Sequence, residues 1–220
     1  MEELNPDNID WKVAEYHVIG DSNPVIAEKL GINIAVDLPT EQAQVDFAAD
    51  VAKLKASGAD AVFAYMTEEE SARFLIEAAK QGLSAPIVGD TVIASQKVID
   101  LAGDASNGVA SHVGLTAEAP VPALQEMAAK FEKKYGYGAD HNAIKGYLGM
   151  YTVKYVTELI GEFDREAFAT KMHGLCLDAA TYPGILMDAC WDDTGELSRE
   201  SFLVQVVDGK QQITKTLPAN

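Results

Sequence analysis

Two short stretches carry side chains able to grip a small charged ligand, Tyr65-Met66-Thr67-Glu68 and Asp90-Thr91. Each follows an apolar run of the kind buried on both faces of a sheet, Ala61 to Met66 and Ile87-Val88. His112 lies in a third run, Val109 to Gly114, where it can touch a ligand or line a surface or hinge. Carboxylate, hydroxyl and phenol oxygens accept hydrogen bonds from an ammonium. Glu68, Glu69 and Glu70 crowd the start of the next helix. They suit its positive end and make it a poor anion site, so this set favours the cationic end of a ligand.

Covalent chemistry has no such support. The chain lacks HExxH, CxxC, a phosphate-binding glycine loop and a GxSxG elbow. Gly146 to Gly149 falls inside a helix and reads as packing. His17, His141 and His173 have no mutual spacing for a metal. Asp192-Asp193 sits in a turn, where solvation explains it. Tyr65, Thr67 and Asp90 form no nucleophile–base pair. The expectation is a protein that is no enzyme, with no cofactor and no metal.

The elements that must position these residues are legible. Ala59 to Asp90 reads as strand, helix, strand. Thr67 and Glu70 form a capping box, Ala72, Phe74, Leu75, Ala78 and Ala79 an apolar stripe, and Gly82 a left-handed stop. Such a unit has parallel strands, and ligands of open parallel sheets sit beyond the strands' carboxyl ends. That rule points at Tyr65 to Glu68 and Gly89 to Thr91. The strand tips at Met66 and Gly89 are expected to open on a hollow. Thr67 is a cap first and a ligand contact second. Asp90 reads equally as a turn residue and as a ligand contact.

Around this unit the pattern predicts strands at Trp11 to Ile19 and Ile32 to Val36, and a short helix at Val25 to Leu30. A loop follows from Asp37 to Gln42, then helices at Gln44 to Ser57 and from the Ser95 cap to Ala102. Further helices run Val121 to Tyr135, His141 to Ile160 and Arg165 to Met172. The His141 helix is apolar over so wide an arc that it should be largely buried. Ser201 to Val207 and Gln211 to Leu217 form a hairpin across Asp208-Gly209.

A length of 220 residues allows one large or two small domains, and 48% hydrophobic content is ordinary for a globular chain. A net charge of −17, from 34 acidic and 17 basic residues, argues against nucleic acid and against an anionic membrane surface. No run approaches the ~18 apolar residues of a membrane helix. The start, MEELNPDNID, carries no signal-peptide pattern. Cys176 and Cys190 leave the compartment open. Free buried cysteine is common, and a disulfide would mark an oxidising compartment.

LIEAAKQGLSAPIVGD, SQKVIDLAGDASNGV, KFEKKYGY, the long helix and WDDTGELSRESFLVQVVDGK, in that order, resemble the substrate-binding proteins of branched-chain amino-acid ABC transporters, the leucine/isoleucine/valine-binding class. The resemblance runs from about Phe47 to Val207. It implies the α/β type I periplasmic-binding-protein fold, a parallel sheet flanked by helices in two lobes that close on a ligand by a hinge. Residues 1–116, with the terminal strand at 202–217, would be a near-complete second lobe. Residues 117–201 would be a mostly helical remnant of the first, whose N-terminal part has no counterpart here. The resemblance implies extracytoplasmic capture of a leucine-, isoleucine- or valine-like amino acid, an ABC permease as partner, and periplasmic location. It places Asp90 against the ligand ammonium, with Thr91 beside it. Helices normally covered by first-lobe sheet imply a homo-oligomer or a separately supplied cover. The alternatives are an amino-acid or small-amide sensor of the same fold, a flavodoxin-like enzyme domain, and a truncated relative with a structural role.

Overall fold

The computed structural model describes residues 12–17, 31–41 and 43–219. Among these, seven strands form one sheet in the order β10-β9-β5-β4-β3-β1-β2. The strands are β1 (Lys12–His17), β2 (Asn33–Pro39), β3 (Ala61–Tyr65), β4 (Ile87–Gly89), β5 (Ala110–Val113), β9 (Ser201–Val207) and β10 (Lys210–Leu217). The pairings from β2 through β1, β3 and β4 to β5 are all parallel. The helices between them are α1 (Ala48–Ser57), α2 (Glu68–Lys80) and α3 (Gln96–Ala102). The described residues up to His112, with Val204–Gln212, form one compact unit.

This unit holds a core of its own. Phe47 and Phe74 meet edge to face at 6.1 Å between ring centroids, and both are buried. Val51, Leu54, Ala72, Leu75 and Ala78 bury the inner faces of α1 and α2. Val204 and Val206 alternate inward along β9, as period-2 patterning requires. Asp208 and Gly209 both take positive φ, 50° and 73°, the geometry of a two-residue hairpin turn.

The other unit comprises Val113–Leu203 and residues from Ile213 on. It contains α4 (Pro122–Tyr135), α5 (His141–Ile160), α6 (Arg165–Met172), a 3₁₀ turn at Pro183–Ile185 and a small antiparallel sheet. That sheet pairs β6 (Cys176–Leu177), β7 (Ala189–Trp191) and β8 (Leu197–Ser198) in order. Cys176 and Cys190 face each other in register and are disulfide-bonded. Asp140 and Asp164 cap α5 and α6 by accepting from Ala143 N at 2.7 Å and Ala167 N at 2.8 Å. The backbone N–H of Gly184 donates to the Tyr155 hydroxyl at 3.0 Å. A Cβ on Gly184 would lie 2.0 Å from the Tyr151 ring, so only glycine fits there.

Several expectations shift. β2 runs on through Pro39 where a loop was expected. It is the last strand of the sheet, where a missing amide hydrogen is tolerated. α1 starts at Ala48 rather than Gln44, because Asp46 Oδ1 takes the Ala48 amide at 2.9 Å and Gln44 closes a turn onto Glu41. The expected burial of α5 fails. Only Ile144, Leu148, Tyr155 and Val156 are buried, while Met150 is 70% exposed. The helix packs mainly against α6 and the Pro183 turn, which do not cover an apolar surface that wraps all round. β6 to β8 were not foreseen. The expected helix at Val25 to Leu30 lies outside the described residues.

Candidate functional site

β3, β4 and β5 lie side by side and end at one level. Ala64 pairs with Gly89, and Gly89 with Ser111. The next residues are Tyr65, Asp90 and His112. Parallel register therefore sets a phenol, a carboxylate and an imidazole in one row at the strands' carboxyl ends. The backbone of His17 on β1 extends the row, since it pairs with Tyr65. Sequence alone places each residue at a strand end; the register makes them one rim.

Tyr65 and His112 are exposed, and Asp90 and Thr91 are half-buried. Hydroxyl groups tie the turn that follows β4 to the neighbouring strand β5. Ser111 Oγ donates to the Asp90 carbonyl, and Thr91 Oγ1 donates to the His112 carbonyl at 3.2 Å. Asp90 Oδ1 accepts from Val92 N at 3.2 Å, which orients the carboxylate within its own turn. Asp90 is thus a turn-former whose carboxylate stands on the rim. The chain then folds back so that Ile93 covers Gly89. A Cβ there would lie 2.4 Å from the Ala64 carbonyl oxygen and 2.8 Å from Ile93 Cγ2. Glycine is required by that close approach.

The tips at Met66 and Gly89 are not open. Met66 is 5% exposed, because it shares the inward face of β3 with Ala64, two residues earlier. The accessible surface comes from Tyr65, Thr67 and His112. Thr67 is the N-cap of α2, and the reciprocal box with Glu70 is formed. Glu70 is buried. Its Oε2 accepts from Thr67 N at 3.1 Å and its Oε1 from Ala43 N, so it ties the loop before α1 to the start of α2.

Glu68 is less available than its position suggested. Lys97 Nζ lies 2.8 Å from Glu68 Oε2 and 2.6 Å from Glu69 Oε1. The Lys97 hydrogen bond, the helix-start amide and the lysine charge together hold the Glu69 carboxyl below the ordinary carboxylate range. The same contacts raise the lysine well above its usual value. Lys97 and Arg73 against three glutamates still leave this corner negative, so it repels anions. Sequence reasoning missed Lys97 and Ser111. The signal for Ser111 was a hydroxyl inside the apolar run Val109 to Val113, and Lys97 showed none, being one of several exposed lysines.

In the second unit a hollow of about 640 Å³ opens between α4 and α5, lined by Phe131, Tyr135, Tyr147, Tyr151 and Tyr155 among others. Burial, then the hydrogen bond it shares with Tyr151, pushes the Tyr147 phenol up to about 12. None of the sequence-predicted residues lines it. Among the described residues there is no cluster of metal-ligating side chains, and no helix is long and apolar enough to cross a membrane.

Residues 18–211 match a family described as periplasmic binding protein. Leu/Ile/Val-binding protein homolog 1 of Brucella abortus (strain 2308) is 25% identical over 154 residues, which cover 69% of this chain and 39% of that protein. A leucine binding protein LivK from Thermotoga maritima superposes with a TM-score of 0.78 at 19% identity, over 94% of this chain and 60% of that one. A solute binding protein from Rhodopseudomonas palustris BisB5, in complex with 3,4-dihydroxybenzoic acid, gives 0.79 at 21% identity, over 97% and 62%. The likeness to these structures is one of fold, and the matched region is about three-fifths of their length.

Proposed function

Because the chain belongs to the family of periplasmic binding proteins, we propose that it takes part in capturing a small amino acid for an ABC importer, without catalysis. The observation that carries this reading is the rim made by Tyr65, Asp90 and His112, with Thr67 and Thr91 beside them. Asp90 would accept from the ligand ammonium. Tyr65 and the threonine hydroxyls would add acceptors, and Glu68 to Glu70 would keep competing anions away. Met66 would act from below, by packing under the rim. Discrimination among leucine, isoleucine and valine would rest on a methylene or two of apolar contact.

Family membership supports an extracytoplasmic, periplasmic location. The Cys176–Cys190 disulfide supports it too, since such bonds persist in oxidising compartments. The exposed Met150 and Phe163 support association through the second unit, with a second copy as the simplest cover. Light scattering tests this: a dimer is expected, and a stable monomer overturns it. A second solute class, an aromatic acid, is favoured by the exposed Tyr65 ring at the rim. Benzoate and 4-hydroxybenzoate are named for two Rhodopseudomonas palustris relatives of the same fold.

Native mass spectrometry of the purified protein tests the reading. A co-purified amino acid or aromatic acid is expected. A bound nucleotide or flavin would overturn it in favour of an enzyme domain on the same sheet.

A further inference from the structure

Every residue lining the hollow between α4 and α5 falls between Ala123 and Leu186, inside the second unit. Its volume of about 640 Å³ is that of a small-molecule pocket. Rings from both helices wall it. Tyr147, Tyr151 and Tyr155 recur every four residues along α5, with centroids 4.8 and 5.7 Å apart. Phe131 and Tyr135 recur in the same way on α4, 4.6 Å apart.

Gly146 lines the hollow from within α5. Glycine weakens a helix interior, so its presence there calls for a reason. Gly184, which also lines the hollow, is explained by the Tyr151 ring lying where its Cβ would go. Gly146 has no such explanation. A Cβ there would meet nothing within 4 Å beyond its own helix backbone, so the expected packing role is not met within the chain. Bare backbone beside the rings lets a flat group approach α5 closely.

Charge selects among flat groups. The hollow is bordered by Lys130, Lys134 and a single acid, Glu126. Glu126 pairs with Lys130 at 2.6 Å. Lys134 has no carboxylate within 4.0 Å among the described residues, and its Nζ rests 5.0 Å from the Tyr135 ring centroid. One uncompensated positive charge thus stands beside the rings, which disfavours a cationic guest and favours an anionic one.

We propose that this hollow binds a planar aromatic carboxylate, with its rings against the tyrosines over Gly146 and its carboxylate at Lys134. The site shares no residue with the rim of β3 to β5 and stands independently of the capture reading. Ring contacts and buried apolar area supply most of the affinity, and the exposed lysine supplies a smaller preference for the anion.

Calorimetry with 2-naphthoate, 2-naphthamide and cyclohexanecarboxylate, on the wild type, Gly146→Leu and Lys134→Gln, tests the proposal. The wild type is expected to bind 2-naphthoate at least about tenfold tighter than cyclohexanecarboxylate. Its preference over the uncharged amide should be at least about threefold, narrowing to within about twofold in Lys134→Gln. Gly146→Leu fills the hollow while improving helix propensity, and should weaken 2-naphthoate at least about tenfold. Absence of wild-type binding at millimolar concentration overturns the proposal, and so does equal wild-type affinity for acid and amide. Undiminished binding in Gly146→Leu overturns it too, because the acid then sits elsewhere. If light scattering shows a wild-type dimer that Gly146→Leu dissociates, and 2-naphthoate does not bind, the occupant is a second copy and the proposal falls.

Discussion

The two units reach order by different routes. In the first, α1 and α2 each turn one apolar face to the sheet, and Phe47, Phe74 and Leu75 are almost wholly shielded. In the second, α6 buries no residue at all and α5 buries only four of its twenty. Here a small core of Leu124, Ile144, Val156, Leu177 and Ile185 is joined by a disulfide, two aspartate caps and a run of tyrosine ring contacts. Tyr147, Tyr151, Tyr155 and Tyr182 follow one another at centroid distances of 4.8, 5.7 and 5.1 Å. The contrast teaches that apolar content alone does not make a core. A stripe buries itself against one layer, whereas a helix apolar all round needs several.

The sharpest break in this contrast comes from cavity formation. Phe74→Ala is expected to destabilise by about 3–5 kcal/mol. Met150→Ala, on the exposed side of α5, should stay within about 0.5 kcal/mol. Urea unfolding followed by far-ultraviolet circular dichroism measures both, and a large loss at Met150 would mean that its helix is covered in solution. Next in size is the covalent link. Cys176→Ser with Cys190→Ser removes a bridge across 14 residues of sequence, with an expected cost of about 2–4 kcal/mol. Hydrogen exchange should show faster exchange around Leu175 to Trp191 and unchanged protection in β3 and α2. Thr67→Ala removes one half of the capping box and should cost about 1 kcal/mol, read as a lower midpoint in the same urea series, with Thr67→Ser largely restoring it.

The smallest effect is one of pH. Glu69 titrates below its unfolded value because Lys97 and the helix start favour its charged form. A carboxyl depressed in the folded state adds stability that is present above the unfolded pKa of about 4.3, and that stability is lost as pH falls through the lower folded value. Lys97→Gln should therefore narrow the difference between neutral and acid stability slightly, because both groups are exposed and screened. Thermal unfolding between pH 7 and pH 3 checks the direction. A wider difference would contradict the assignment.

Much of this was legible in the residues. Local signals sufficed wherever local chemistry decides, as with the Thr67–Glu70 box, the stops at Gly58 and Gly82, and the Asp140 and Asp164 caps. The positive φ at Asp208-Gly209 belongs with them. Features set by distant partners were not legible. Nothing near Cys176 announces Cys190, and three strands of two or three residues carry no period to detect. For the candidate site, strand ends could be read but not their common level, which pairing of Ala64, Gly89 and Ser111 creates. The pairing of Lys97 with Glu68 and Glu69 spans roughly 30 residues of sequence and was invisible for the same reason.

The central claim is that the row of Tyr65, Asp90 and His112 receives the ammonium end of the solute. Calorimetry with leucine and with 4-methylpentanoate, which lacks only the amine, tests it most directly on the wild type and Asp90→Asn. The account predicts that the wild type prefers leucine by at least about tenfold and that Asp90→Asn loses most of that preference. Equal preference in the two proteins would contradict it.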